Sequence, residues 1–261
     1  MSVKPSLGVQ ISTLAKRSIS RTVRQPVILV PNLIFPLFML EVMSGAGGQV
    51  TKVPNFPTTS YVTFVLGAMM IQAAVGANTI AGIALGQDVE TGFLRRIALT
   101  PVQGMALVAA GLAGVAVLGS MQTTLVLGVG LLEGAHVEAG ALGGVAVVVV
   151  VLLVILAFGA VGQFIALATG GEEAVHSLFS LFLGLIFLSS MAMPRNLMTT
   201  DWFQTVATIN PISYLIEAPR SLFVDGWDAQ ALALGCGIAA VILIFAVVAS
   251  TRVLRSKAFR G

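Results

Sequence analysis

The sequence predicts an all-α polytopic membrane protein with six transmembrane helices. Three observations carry this reading. Of 261 residues, 57% are hydrophobic and only 10% are charged, mean hydropathy is +0.98, and charge-free runs near the length of a bilayer crossing recur along the chain. Soluble domains carry about 25% charged residues. This chain has too little polar surface to coat a fold in water, and hydrocarbon is the solvent that suits it. A transmembrane β-barrel is excluded because the runs are apolar on every face instead of alternating.

Polar breaks divide the apolar sequence into expected spans at 26–43, 61–85, 105–132, 139–169, 174–193 and 229–250. The whole chain reads as one transmembrane domain, with a basic segment at 1–25, a membrane bundle at 26–250 and a basic tail at 251–261. Six spans put both termini on one side. If that side is cytoplasmic, eleven of the fourteen Lys and Arg residues fall inside, from Lys4 and Lys16 through Arg95 and Arg96 to Arg260. Only Lys52, Arg195 and Arg220 fall outside, and the positive-inside bias therefore places both termini in the cytoplasm. Trp202 and Trp227 lie at the expected outer boundary, where indole rings settle.

Several chemistries drop out. Cys236 is the single cysteine and His136 and His176 are the only histidines, so neither a disulfide nor a zinc-ligand set is expected. No G-x-x-x-x-G-K-[ST] loop is present, and no basic stretch is interleaved with stacking aromatics; neither ATP on this chain nor nucleic acid is expected. His176 beside Ser177 is the sole hint of a catalytic pair and has no third group.

The first 25 residues place Leu7, Ile11, Leu14, Ala15 and Ile19 at helical spacing, with Lys16, Arg17, Arg21 and Arg24 mostly on the other side. This fits an amphipathic helix at the inner headgroup layer; a signal peptide or a plain basic flank is the alternative. In the first span Pro26, Pro31 and Pro36 remove amide donors. Glu41 closes that run, and Gln72, Asn78, Gln122 and Gln163 are the polar side chains within the spans. Glu41, Gln72 and Asn78 are the candidates to line a pathway, against solvation or helix-to-helix hydrogen bonding as the plainer roles. Gly82 with Gly86 and Gly140 with Gly144 form small-xxx-small pairs.

Two segments outside the spans stand out. Between the second and third spans the chain reads Gln87-Asp88-Val89-Glu90-Thr91-Gly92-Phe93-Leu94-Arg95-Arg96-Ile97-Ala98-Leu99-Thr100-Pro101. Its small apolar face, rimmed by both charge signs, suits either docking to a soluble partner or an ordinary charged turn. Before the last span, Trp202, Phe203, Val206 and Ile209 form one short apolar face, Asn210-Pro211 interrupts it, and Ile212, Leu215, Ile216, Leu222 and Phe223 form another. Two short helices dipping into the outer leaflet are expected there, with Glu217 and Arg220 spaced to pair on one face.

The stretch from Asp88 to Pro101 resembles the coupling-helix region of ABC-2-type exporter permeases, with its acidic residue, E-x-G and T-P. The stretch Asn210-Pro211-Ile212-Ser213-Tyr214 followed by Glu217 and Arg220 resembles the same family's N-P…Y…E-x-x-R segment. The general look is most similar to the daunorubicin-resistance drug-exporter branch, although many relatives carry a lysine where this chain has Ala109-Ala110-Gly111. The resemblance implies a membrane permease subunit, not an enzyme, of a bacterial cytoplasmic-membrane exporter for an amphipathic or lipid-like cargo. It implies a homodimer or heterodimer working with a separate ATP-binding cassette ATPase that holds ATP and Mg. Asp88, Glu90, Gly92, Phe93, Leu94, Arg95, Arg96 and Pro101 would then meet the ATPase. Lys16, Arg17, Arg21 and Arg24 would belong to the interface helix, and Asn210, Pro211, Tyr214, Glu217 and Arg220 to an outer re-entrant cap. An ion-coupled transporter or channel is the alternative, disfavoured by nearly charge-free spans.

Overall fold

The computed structural model describes residues 6–24, 26–92, 96 and 104–258. Among them are nine α-helices, two short 3-10 turns at Val50–Lys52 and Arg195–Leu197, and no strand. In order, α1 is Leu7–Val23, α2 Pro26–Gly47, α3 Tyr61–Glu90, α4 Gly104–Leu132, α5 Gly140–Thr169 and α6 Glu173–Phe187. They are followed by α7 at Asp201–Ile209, α8 at Pro211–Val224 and α9 at Ala229–Ala258.

Helix α3 is the axis of the bundle. It packs against α2, α4, α5, α6 and α8, and Phe64, Leu66, Met69, Met70 and Ile71 are shut off from solvent. Hydrocarbon offers no hydrophobic drive for helices to pair, so close approach through small residues does that work. A Cβ at Gly82 would lie 3.0 Å from the Gly162 carbonyl of α5, and one at Gly86 would lie 3.1 Å from the Glu172 nitrogen. The Gly82–Gly86 pair is thus a genuine close contact. The Gly140–Gly144 pair is not: nothing lies within 4 Å of either position.

Helix α2 runs unbroken through Pro31 and Pro36. Proline at position 36 leaves the Asn32 carbonyl without its usual donor four residues on. The side-chain amide of Gln122 on α4 donates to that carbonyl. One of the polar residues expected inside the spans therefore repairs a proline defect, as buried backbone in hydrocarbon requires.

Among the described residues, five helices are long and apolar enough to cross a membrane: Leu29–Gly47, Tyr61–Glu90, Gly104–Leu132, Gly140–Thr169 and Ala229–Leu254. The run at 174–193, expected as a further span, is helical only over the 15 residues of α6, about 22 Å at 1.5 Å per residue. Its last turn gives way to a tight turn through Ser189 and Ser190, where the Ser189 nitrogen and hydroxyl both donate to the Ile186 carbonyl. Short hydroxyl side chains that bond back to the chain end helices in this way. At its start α6 lies beside the end of α3, where Gln87 donates to Glu172 at 3.4 Å. The segment after it lies beside the beginning of α3, where the Tyr61 hydroxyl donates to the Ala192 carbonyl at 3.1 Å.

Helix α1 packs along α4. Leu14 joins a cluster formed by Leu85, Leu107, Ala166, Leu167 and Val175, so part of its apolar face meets protein instead of lipid. The break at Asn210-Pro211 separates α7 from α8 as expected. Helix α8 is more enclosed than a surface flap: ten of its residues, Ile212 to Phe223, are buried. It is gripped between Gly67 of α3, where a Cβ would be 3.0 Å from the Arg220 nitrogen, and Gly235 of α9, where one would be 2.8 Å from the Tyr214 carbonyl.

Candidate coupling and exit sites

At the end of the bundle that carries α1, Arg17 and Arg21 lie one turn apart and reach the same carboxylate. Arg17 Nη2 is 3.1 Å from Asp88 Oδ1 and Arg21 Nη1 is 2.9 Å from it. Arg21 also donates to the Ala84 carbonyl at 3.1 Å and to Gln87 Oε1 at 2.5 Å. Spacing of i and i+4 puts both guanidinium groups on one face of α1. They hold that helix to the last turn of α3. Lys16 and Arg24 are exposed, as is Glu90 at the final residue of α3.

Beyond Glu90 the backbone turns at Gly92, whose φ of +68° is the left-handed conformation that side-chain-bearing residues resist. Nothing lies within 4 Å of a Cβ there. The positive φ is by itself a backbone reason for glycine at this position. The Arg96 nitrogen donates to the Gly92 carbonyl at 3.2 Å, and its guanidinium donates to the Thr91 carbonyl at 3.2 Å. Phe93, Leu94, Arg95 and Pro101 lie outside the described residues.

At the opposite end Arg220 is 6% exposed. Its Nε donates to the Phe64 carbonyl at 2.9 Å, Nη1 to Ser190 at 2.7 Å and Nη2 to Met191 at 2.9 Å. Its guanidinium also sits 3.8 Å from the centre of the Phe64 ring. Burying an unpaired charge costs several kcal/mol; three carbonyl dipoles and a ring face offset that cost. The expected partnership of Glu217 with Arg220 is not the ion pair that forms. Glu217 pairs with Arg195 at 2.5 Å, because Arg195, on the loop after α6, can approach it across a partly open surface. Arg195 also covers the Tyr214 ring at 4.6 Å, and Tyr214 donates to the Thr208 carbonyl at 2.9 Å.

Asn210 caps α8 with its own Oδ1, which accepts from the Ile212 nitrogen at 2.9 Å. Its Nδ2 donates to the carbonyls of Leu185 at 2.7 Å and Leu188 at 3.1 Å. Pro211 then occupies the first helical turn, where a missing N–H is harmless. The break between α7 and α8 is therefore held by Asn210 as well as by the proline. Phe64, Ser190, Met191 and Ser213 complete this cluster. Sequence reading had no signal for the first three, since backbone carbonyls do the accepting.

The pathway candidates separate. Glu41 is exposed at the end of α2. Gln72 is 4% exposed on α3, and neither its amide nitrogen nor its oxygen has a hydrogen-bond partner among the described residues. Asn78 lies further along the same helix. Glu133, just past α4, has its carboxyl pushed up to about 7 by partial desolvation and by a hydrogen bond and like charge from Glu41. His176 is exposed and Ser177 bonds back to the Glu173 carbonyl. No group of three or more metal-ligating side chains occurs among the described residues.

Comparison with known proteins matches the ABC-2 type transporter family over residues 9–224. The chain is similar to the daunorubicin resistance ABC transporter permease protein DrrB1 of Streptomyces coeruleorubidus, at 28% identity over 88% of this chain and 79% of that protein. It is also similar to the ycf38 proteins of Pyropia yezoensis, 27% identical over 84% of this chain and 75% of theirs, and Cyanophora paradoxa, 24% identical over 82% and 74%. ABC-2 permeases are membrane transport subunits whose ATP hydrolysis lies on separate ATP-binding subunits. With its long apolar helices and a family match covering most of its length, this chain belongs to the ABC-2 type transporter family and is the membrane subunit of an ABC transporter.

Proposed function

We propose that this permease forms the translocation pathway of an exporter for an amphipathic or lipid-like cargo, drug molecules included, in a bacterial cytoplasmic membrane. Two permease subunits, identical or related, enclose the pathway, and two ATP-binding cassette subunits holding ATP and Mg drive it. The chain acts as one transmembrane domain with both termini in the cytoplasm. Its α1 end faces inward, and α1 lies along the inner headgroups. Helix α6 and the turn after it form a sixth crossing, a reading supported by their contacts with both ends of α3, at Glu172 and at Ala192.

The observation that carries the mechanism is the clamp on Asp88. The segment resembling a coupling helix leaves α3 two residues after that carboxylate, and Arg17 and Arg21 bind α1 to the same point. A push on the segment from Glu90 to Pro101 would act on α3 and α1 together and tilt the bundle between inward-facing and outward-facing states. Phe93 and Leu94 would anchor the contact, with Glu90, Arg95 and Arg96 at its rim. Helices α7 and α8 would close the outer end. Gln72, Glu41 and Asn78 are the side chains proposed to meet cargo; the unpartnered amide of Gln72 favours it among the three.

The test is copurification from mild detergent followed by reconstitution. A tagged chain is expected to bring down a cassette ATPase, and Gly92→Val, which forces a branched side chain onto a φ of +68°, is expected to leave membrane insertion intact while cutting transport per ATP at least tenfold. Absence of any ATPase in the purified complex, with ion-gradient-driven flux instead, would replace this reading with a secondary transporter.

A further inference from the structure

We infer that Asn210, Ser213 and Arg220 weld the exit end of α6 to α8, so that the two travel as one body and the outer opening does not hinge at Asn210-Pro211. This rests on the exporter reading above for its functional consequence, but the weld itself stands on geometry.

The carbonyls of the last turn of a helix have no partners within that helix. At the end of α6, Leu188 and Ser189 turn back on the Gly184 and Ile186 carbonyls, and the Leu185 carbonyl is taken up by the residue that caps α8. Asn210 spends its donor on Leu185 and Leu188 while its acceptor caps α8. Its short amide carries both a donor and an acceptor, and this orientation satisfies both sets of bonds. Next, Ser213 Oγ accepts from the Ser190 nitrogen at 3.2 Å. Arg220, seven residues further and on the same face, takes the Ser190 and Met191 carbonyls and also the Phe64 carbonyl of α3. The three side chains thus hold four residues of the stretch between Leu185 and Met191, namely Leu185, Leu188, Ser190 and Met191.

Burial makes the join hard to open. Asn210 is 5% exposed, Ser213 and Ser190 are 0%, and Arg220 is 6%. Swinging α8 away from the end of α6 about Asn210-Pro211 would strip all of these groups of partners where no water replaces them. The far side of α8 is held as well: the nitrogens of Glu138 and Ala139, between α4 and α5, donate to the Phe223 and Leu222 carbonyls at 3.4 and 3.1 Å. Helix α2, by contrast, packs on α3 and α4 and has no comparable join to α6 or α8 among the described residues. Outward opening is therefore a movement of the α6–α8 unit relative to α2 or to a second subunit.

Two arms test this, both in a Cys236→Ser background in lipid nanodiscs or vesicles. The first is hydrogen exchange on the permease alone. Asn210→Asp keeps the cap acceptor for α8 but removes the donor to α6. It is expected to raise exchange at least tenfold both at 185–191 and at 211–213, and Ser213→Ala is expected to raise the same two segments by about threefold. A change confined to α8, or none, overturns the weld. The second arm pairs Ser190→Cys with Ser213→Cys and oxidises the purified transporter. The bridge is expected to form and to leave ATP-driven daunorubicin accumulation in inside-out vesicles above half of the reduced protein's rate. Failure to form the bridge, or arrest that reductant reverses, overturns the proposal. Loss of accumulation in both redox forms with a normal exchange pattern would count against the exporter reading or its drug cargo and leave the weld standing.

Discussion

The two ends of this molecule are built from the same ingredient, arginine, in opposite ways. At the α1 end Arg17 and Arg21 meet a carboxylate in a partly open setting, with the Arg17 side chain 43% exposed. At the far end Arg220 is enclosed and spends its donors on backbone carbonyls of two other segments. Exposed ion pairs contribute between about 0 and 1 kcal/mol, are screened by salt and can be remade at little cost. A buried guanidinium stripped of its partners costs several kcal/mol. The α1 end is suited to being rearranged by a partner, and the far end to staying assembled while something else moves.

The largest effect expected from this contrast is at Arg220. Replacing it with Met retains much of the apolar stem but orphans the buried Ser190 and Met191 carbonyls. The variant should lose about 3 kcal/mol or more of stability, read as a lowered unfolding midpoint in detergent. Near-wild-type stability would remove the distinction between the two ends.

A smaller effect is expected at Asp88. Asp88→Asn should weaken α1 docking by about 1 kcal/mol or less at low ionic strength. In the parent protein the exchange protection of α1 should fall as salt is raised, and in the variant it should hardly respond. A salt-independent α1 in the parent would mean that packing of Leu14 and its neighbours, not the ion pairs, holds the helix.

The smallest effect concerns Glu133. Its carboxyl is raised to about 7, so the neutral form is the one the fold favours. The associated stability is complete below its ordinary value near 4.5 and is lost as pH rises through about 7. The unfolding midpoint should decline slightly between pH 5 and pH 8, and Glu133→Gln should flatten that decline. Glu133 is exposed, so screening keeps the change below that at Asp88. An unchanged slope in the variant would show that other groups set the pH response.

Most of the architecture was legible because hydrocarbon imposes it locally. Runs of apolar residues near bilayer length must become helices, since no other open segment satisfies its own backbone there. The break at Asn210-Pro211 was legible too, from a capping residue followed by a proline. The sixth expected span shows the limit. Residues 174–193 read as one apolar run, yet α6 stops at Phe187. Ser189 turns back on Ile186 there, and Asn210, more than twenty residues away in sequence, takes the Leu185 and Leu188 carbonyls. Likewise Glu217 and Arg220 have helical pairing distance, yet Arg195 takes the carboxylate. Periodicity reports which residues share a face and says nothing about what arrives there from another part of the chain.

By itself, then, the sequence determined that this is a helical membrane protein, where its long apolar helices run, and which charged segment and which N-P segment distinguish it. Those are properties of composition and of spacing within single elements. Only the tertiary structure decided that Gln122 repairs the proline defect in α2, that Arg220 is satisfied by backbone instead of a carboxylate, and that Asn210 caps two helices with one amide. Their partners are carbonyls, which every residue possesses and no sequence pattern marks. Choosing among them takes the three-dimensional approach of distant helices, through small residues such as Gly67 and Gly86, that brings one particular acceptor within reach.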